Sequence, residues 1–160
     1  MLKVEDEIFI NNKFMAKALL QAQKAFARGE VPVGAVVVHQ NKIIASSFNS
    51  PISDNDPCAH AEIKVIRKAG RKLQMVRLTN CQIYVTLEPC PMCAQAISFG
   101  RFDKLYYGAY DFKGGGVENG AKVFDQTSCF HRPEIYGGIM EQECQNLLKS
   151  FFQKLRVTNI

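Results

Sequence analysis

The sequence predicts an α/β protein, a three-layer α/β/α sandwich with a central mixed sheet. Three observations point there. Segments with apolar residues at helical spacing alternate with short β-branched runs. The first two strand-like runs are separated by only Gln40-Asn41, so they form a hairpin. The resulting order, helix–strand–strand–helix–strand–helix–strand, calls for a sheet covered on both faces.

The elements follow in order. Asn12 to Arg28 sets Phe14, Ala18, Ala22 and Ala25/Phe26 at helical spacing, with Gly29 as the stop. Val33 to His39 and Lys42 to Phe48 are the hairpin strands, and the polar stretch Asn49 to Pro57 breaks the pattern. Ala59 to Ala69 reads as a helix with Ile63, Ile66 and Lys64/Lys68 at suitable spacings and Gly70 as its cap. Gln82 to Leu87 is a strand, Pro91 to Phe99 a short helix ended by Gly100, and Lys104 to Gly108 another strand. Asp111 to Cys129 is a loop. Its Gly114-Gly115-Gly116 lacks the strand–GxGxxG–helix context of a nucleotide fold, so a flexible loop is expected. Glu134 to Ile139 is a last short strand. Glu141 to Arg156 closes the chain as a helix with Cys144, Leu147, Leu148, Phe151, Phe152 and Leu155 on its apolar side.

With 160 residues and no internal repeat or linker, residues 1–160 are expected to form one domain with a single sizeable core. Apolar residues make up 47% and charged ones 22%, which excludes a disordered chain. No window approaches the roughly 18 apolar residues of a membrane span, and the acidic start Glu5-Asp6-Glu7 is unlike a signal peptide. A cytoplasmic protein without membrane contact is expected. The net charge of +5 is compatible with a polyanionic partner without requiring one. Arg67-Lys68 and Arg71-Lys72 read as a solvated face.

Two short segments carry chemistry. His60-Ala61-Glu62 and Pro89-Cys90-Pro91-Met92-Cys93 supply one imidazole and two thiolates, a set that favours zinc over magnesium or calcium. Pro91 suits the first turn of a helix, which leaves Cys90 at the cap and Cys93 one turn on. His60 and Glu62 would diverge in mid-helix, so both belong at the opening of theirs. Structural zinc sites are closed by four protein ligands, whereas catalytic ones keep a position for water. Three ligands are evident here, and Glu62 stands beside them as a base. The alternative is a structural zinc knuckle completed by Cys58, His39, His131 or another cysteine. The remaining cysteines, Cys58, Cys81, Cys129 and Cys144, read as buried small hydrophobes.

His-x-Glu followed by Pro-Cys-x-x-Cys resembles the signature of zinc-dependent nucleobase deaminases. The resemblance extends along most of the chain. Gly29-Glu-Val-Pro-Val-Gly-Ala-Val-Val-Val38, Phe48-Asn-Ser-Pro51, Asp56-Pro-Cys-Ala-His-Ala-Glu-Ile63 and Tyr84-Val-Thr-Leu-Glu-Pro-Cys-Pro-Met-Cys-Ala94 look like bacterial tRNA-specific adenosine deaminases. So do Tyr107-Gly-Ala-Tyr-Asp-Phe-Lys113 and Ser150-Phe-Phe-Gln-Lys-Leu-Arg156.

That resemblance implies a cytidine-deaminase-like fold, a homodimer, no organic cofactor, and conversion of adenosine to inosine at the wobble position of a tRNA anticodon loop. By the same resemblance His60, Cys90 and Cys93 match the zinc ligands and Glu62 the proton shuttle. Asn49 matches an asparagine that hydrogen-bonds the flipped base, and Asp111 an aspartate near the sugar–phosphate. Val31 and Pro32 are candidate walls of the base pocket, with a plain packing role as the alternative. Phe151 and Phe152 resemble a terminal-helix pair that meets the anticodon loop, one of the two being core by its spacing. Rival readings are a guanine or free-cytosine deaminase of the same superfamily, a non-catalytic zinc-stabilised RNA-binding module, and a disulfide-held structural domain.

Overall fold

In a computed structural model, residues 3–158 are described. Ten elements and one 3-10 turn succeed one another: α1 (Val4–Ala27), β1 (Gly34–His39), β2 (Lys42–Phe48), α2 (Pro51–Asp54), α3 (Ala61–Leu73), β3 (Cys81–Leu87), α4 (Pro91–Gly100), β4 (Lys104–Ala109), the turn Val123–Asp125, β5 (Glu134–Tyr136) and α5 (Glu141–Thr158). The sheet order is β2-β1-β3-β4-β5. β1 runs antiparallel to both β2 and β3, while β3, β4 and β5 are parallel. The expected mixed sheet between two helical layers is what forms.

Alternation along the strands sorts the core into two halves. Ala35 and Val37 of β1, Ile83 and Val85 of β3, and Leu105 and Tyr107 of β4 meet Ala61, Val65 and Ala69 of α3 and Ala94 and Ile97 of α4. Val36, Val38, Tyr84 and Tyr106 point the other way, onto Phe14, Met15, Ala18 and Leu19 of α1 and Cys144 of α5. Buried on both faces, β1 reads as a continuous apolar run. Gly34 lies so close under α1 that a Cβ there would strike the backbone of Ala18 and Ala22.

Register brings Tyr84, Tyr106 and Tyr136 abreast across β3, β4 and β5. Their rings stack with centroids 4.4 Å and 4.9 Å apart. Lys104 lies over the Tyr136 ring, 5.9 Å from its centroid. The three-residue β5 thus has an aromatic partner as well as its ladder.

Several boundaries depart from the sequence reading, each for a physical reason. α1 begins at Val4 rather than Asn12: Glu5, Asp6 and Glu7 complement the helix dipole, and the apolar residues of this stretch, Val4, Ile8 and Phe9, stay exposed instead of continuing the buried stripe. Gly29 does stop it, at φ +74°, with Glu30 N–H bonded to Ala25 O at 3.0 Å. Gly70 does not cap α3. The helix continues one turn, its basic Arg71 and Lys72 suit the C-terminal end of the dipole, and Gln74 takes the left-handed position. Gly100 is likewise the last residue of α4, and Arg101 the left-handed cap.

Inside the stretch read as a polar break, Pro51–Asp54 forms a helical turn started by Pro51. The last strand ends at Tyr136 instead of Ile139. On α5, Phe151 is buried whereas Phe152 and Leu155 are exposed, so the apolar side is narrower than its composition suggests. On α3 the buried residues are Ala61, Glu62, Val65 and Ala69; Ile63 is half-buried outside the core, and Ile66, also half-buried, packs against the core's edge. Of the four remaining cysteines, Cys81 and Cys144 are buried, Cys129 is half-buried and Cys58 is exposed. Cys58 lies in a turn, with its N–H bonded to Asp56 Oδ1 at 2.8 Å, and does not pack in the core.

Candidate active site

Two helix starts converge on one point. His60 is the N-cap of α3 and Cys90 the N-cap of α4, both with extended backbone. Pro91 occupies the first helical position, as expected, and Cys93 follows on the next turn. Among the described residues, the one group able to hold a metal ion is His60, Cys90 and Cys93, with ligand atoms all within 4.8 Å of one another.

The donor geometry suits zinc. Tetrahedral bonds of about 2.3 Å to sulfur and about 2.0 Å to nitrogen place each sulfur roughly 3.6 Å from the nitrogen. Cys90 Sγ and Cys93 Sγ lie 3.6 Å and 3.5 Å from His60 Nδ1. The candidates for a fourth ligand are elsewhere: His39 Nδ1 sits 3.2 Å from Asn80 O, His131 Nε2 is 2.6 Å from Phe102 O, and Cys58 is exposed. All six cysteines are free thiols, which removes the disulfide-held reading.

The site's electrostatics prepare it for a cation. Cys90 is held down to about 4, chiefly by the hydrogen bond from the Cys93 thiol, against burial and with help from His60. Cys93 is pushed up in turn, by its bond to Cys90 and by burial. The His60 imidazole is raised above its usual range mainly by bonding to Cys90, against burial. Helix N-termini add to the preference for thiolate. Glu62, on the first turn of α3, is only 4% exposed. Burial pushes its carboxyl up to about 7, opposed by its own backbone N–H and assisted by Cys90.

A cleft of about 340 Å³ opens over this group, lined by Val31, Asn49, His60, Glu62, Glu88, Cys90, Asp111 and Gly114, with Val33, Pro51 and Leu87 between them. Small-molecule sites run from about 300 to 1,000 Å³, so this one has room for a single base-sized ring system. The structure therefore brings together six of the residues singled out in the sequence: Val31, Asn49, His60, Glu62, Cys90 and Asp111. Cys93 lies behind the cleft wall, fully buried. Phe152 is not in the cleft. It is 42% exposed on α5, in a separate depression with Leu148, Lys149, Gln153 and Arg156.

Two buried carboxylates that the sequence reading left unassigned build the cleft walls. Glu30, 1% exposed, accepts from Ile52 N–H at 3.3 Å, Ser53 N–H at 2.6 Å and the Ser53 hydroxyl at 2.8 Å. It thereby caps α2 and ties the segment after Asn49 to the segment holding Val31. Asn49 is fixed between them: its N–H bonds Val33 O at 2.9 Å and its Nδ2 donates to Val31 O at 3.2 Å.

Glu88, 2% exposed, clamps the opposite wall. Its Oε2 accepts from Asp111 N–H at 2.9 Å and Asn119 Nδ2 at 2.8 Å. Its Oε1 accepts from the N–H groups of Val117 at 3.3 Å, Glu118 at 2.9 Å and Asn119 at 2.9 Å. Burial raises the Glu88 carboxyl, but the Asn119 amide and the backbone donors outweigh it and hold it below the usual range. Asp111 is itself a turn former, its Oδ1 accepting from Lys113 N–H at 3.1 Å and Gly114 N–H at 2.8 Å.

The loop expected to be flexible is thus pinned. A Cβ on Gly115 would come within 2.7 Å of the Glu88 carboxyl carbon, and one on Gly116 within 2.6 Å of Pro91 N. A charged residue between a buried strand and Pro89 was the available sequence signal for Glu88, because such a charge needs partners.

Residues 10–109 match the family described as the cytidine and deoxycytidylate deaminase zinc-binding region. The chain is 50% identical over 144 residues to a tRNA-specific adenosine deaminase of Agrobacterium fabrum, covering 90% of this chain and 95% of the relative. It is also similar to a solved structure from work on A-to-I editing by tRNA:A34 deaminases at the wobble position of transfer RNA. There the TM-score is 0.83 at 50% identity, over 84% of this chain and 98% of the other. A guanine deaminase from Bacillus subtilis shares 39% identity with a TM-score of 0.59, over 61% of this chain and 63% of its own.

Proposed function

We propose that this chain, which belongs to the cytidine and deoxycytidylate deaminase family, deaminates adenosine to inosine at the wobble position of a tRNA anticodon loop. The observation that carries the chemistry is a three-donor site with a buried carboxylate beside it and a base-sized cleft above it. Together with the relatives' substrate, it favours RNA adenosine over free guanine or cytosine.

His60 Nδ1, Cys90 and Cys93 would hold the zinc, which when bound supplies a Lewis acid that makes water a nucleophile near neutral pH. Glu62 is the proton shuttle. It takes a proton from the attacking water and hands it to N1 of the purine as oxygen adds to C6. It then takes the second proton from the hydroxyl added at C6 and delivers it to the amino nitrogen, so the C6–N bond breaks, the C6=O bond forms and ammonia leaves. Asn49, held by Val31 and Val33, presents its Oδ1 to the base; that atom accepts no hydrogen bond from the described residues. Val31 lines the base pocket, Asp111 lies toward the sugar–phosphate, and Phe152 meets the RNA outside the cleft. An anticodon loop suits such a cleft because an unpaired base is turned out of its stack at lower cost than one in a duplex.

The direct test is an assay of purified protein. Inosine and ammonia are expected from an anticodon stem-loop with adenosine at the wobble position, with none from free guanine or cytosine; the reverse pattern would establish the guanine- or cytosine-deaminase reading.

Residues 1–160 act as one domain, and the working unit is a homodimer. Its interface is the groove between α3 and α4, formed by Ile63, Ile66, Arg67, Val76, Ala96, Phe99 and Gly100. Phe99 and Val76 stand largely in solvent there, and Ile63 lies half-buried beside them. A second copy is the occupant consistent with the family. Phe99→Asp is expected to shift the protein from dimer to monomer in equilibrium sedimentation; an unchanged mass would place the interface elsewhere. Among the described residues no helix is long and apolar enough to cross a membrane. The cytoplasm, where tRNA is matured, is the proposed location.

A further inference from the structure

Phe112 stands 79% exposed in the loop after β4, an expensive position for a large apolar ring. Its near neighbours on either side, Asp111 and Gly114, both line the cleft, so Phe112 sits at the cleft's rim. The loop does not drift. Glu88 holds it through Asp111 N–H and through the 117–119 segment, and Asp111 Oδ1 closes the turn around Phe112 by bonding Lys113 and Gly114. Tyr110 backs the ring, with centroids 6.5 Å apart and planes within 18° of parallel. Lys113 follows immediately, exposed. A rigidly presented aromatic face beside a cation, at the mouth of a base-sized cleft, has the chemistry of a single-stranded nucleic-acid contact.

We infer that Phe112 is a stacking platform for the nucleobase adjacent to the target adenosine on the RNA strand. The inference rests on the RNA reading above. It adds a subsite outside the catalytic cleft, one that recognises the flat face of a base and not its edges. Such a contact tolerates any base and fails only where the base is missing.

Kinetics on a stem-loop RNA with single abasic positions flanking the wobble adenosine test it. Phe112→Ala is expected to raise KM about 5- to 150-fold, the size of one base–aromatic stack, with kcat within about twofold. Phe112→Tyr restores KM. One flanking abasic position raises KM for the unaltered protein but adds nothing to Phe112→Ala, which shows that ring and base form one contact. The chain has no tryptophan, so Phe112→Trp introduces a lone indole whose fluorescence is expected to quench on RNA binding. An unchanged KM in Phe112→Ala overturns the inference. So do abasic and alanine effects that multiply, or a shift from dimer to monomer accompanying the loss. If the unaltered protein turns over no RNA at all, the substrate reading itself fails, a result the variants cannot mimic.

Discussion

Glu62→Gln is expected to lower kcat by about 10²- to 10⁴-fold, the contribution of a positioned general acid–base. Glutamine fills the same volume but neither takes a proton from water nor returns one to the purine. The metal should stay, because Glu62 is not one of the three donors grouped around the site. Zinc content measured by atomic emission and KM for the stem-loop are therefore expected to remain within about twofold. Stability is expected to hold or rise, because the side chain is almost wholly buried and a neutral amide of the same volume is desolvated at lower cost than a carboxylate. Full activity in this variant would assign the proton transfers to another group. Loss of zinc would recast Glu62 as part of the metal's support.

The second large effect lies outside the reacting atoms. Glu88→Gln replaces one of two accepting oxygens with an amide that donates. In one orientation it confronts Asp111 N–H and Asn119 Nδ2, in the other the N–H groups of Val117, Glu118 and Asn119. Each buried donor left unbonded costs about 1–3 kcal/mol. The first orientation is the less damaging, since Asn119 can turn its side chain to offer Oδ1 to the new amide and recover one bond. A net loss of roughly 2–4 kcal/mol remains, which lowers the melting temperature by about 5–15 °C for a chain of this size. Amide exchange should accelerate across residues 111–119 while the β1–β3 ladder stays protected. KM for RNA should rise with it, because Asp111 and Phe112 ride on that loop. A melting temperature within about 2 °C of the parent, with slow exchange in the loop, would show that the clamp is dispensable.

What the sequence disclosed and what it concealed follow from how each feature is encoded. The β1–β2 hairpin was legible because Gln40-Asn41 separates two β-branched runs, and both residues do adopt left-handed backbone, at φ 49° and 58°. The metal donors were legible because Cys-Pro-x-Cys sets its own geometry: Pro91 starts the helix, and cap and next turn then face one point. Sheet order was not legible, since β1 joins β3 across the whole of α3 and no local pattern records the choice.

Glycine does not punctuate the ends of α3 and α4. Gly70 and Gly100 lie inside their helices, and Gln74 and Arg101 bear the left-handed turn instead. Glu30 and Glu88 escaped because a buried carboxylate is defined by donors distant in sequence. Ile52 and Ser53 answer Glu30, and Asp111 and the 117–119 segment answer Glu88, and neither pairing has a periodicity. The triple glycine was misread for the same reason: its lack of side chains serves close packing against Glu88 and Pro91, not looseness.

Because the imidazole and the first sulfur sit where α3 and α4 begin, their spacing is dictated by Val65, Ala69, Ala94 and Ile97 anchoring those helices to the sheet. Those anchors are apolar contacts that do not involve the ion. In small zinc fingers, by contrast, ion capture and chain collapse are a single event. Here the two should separate: removing the ion with a chelator is expected to abolish turnover while the far-ultraviolet circular dichroism stays unchanged, and adding zinc back to restore it without refolding; an unfolding transition on chelation would show that the ion also holds the fold together.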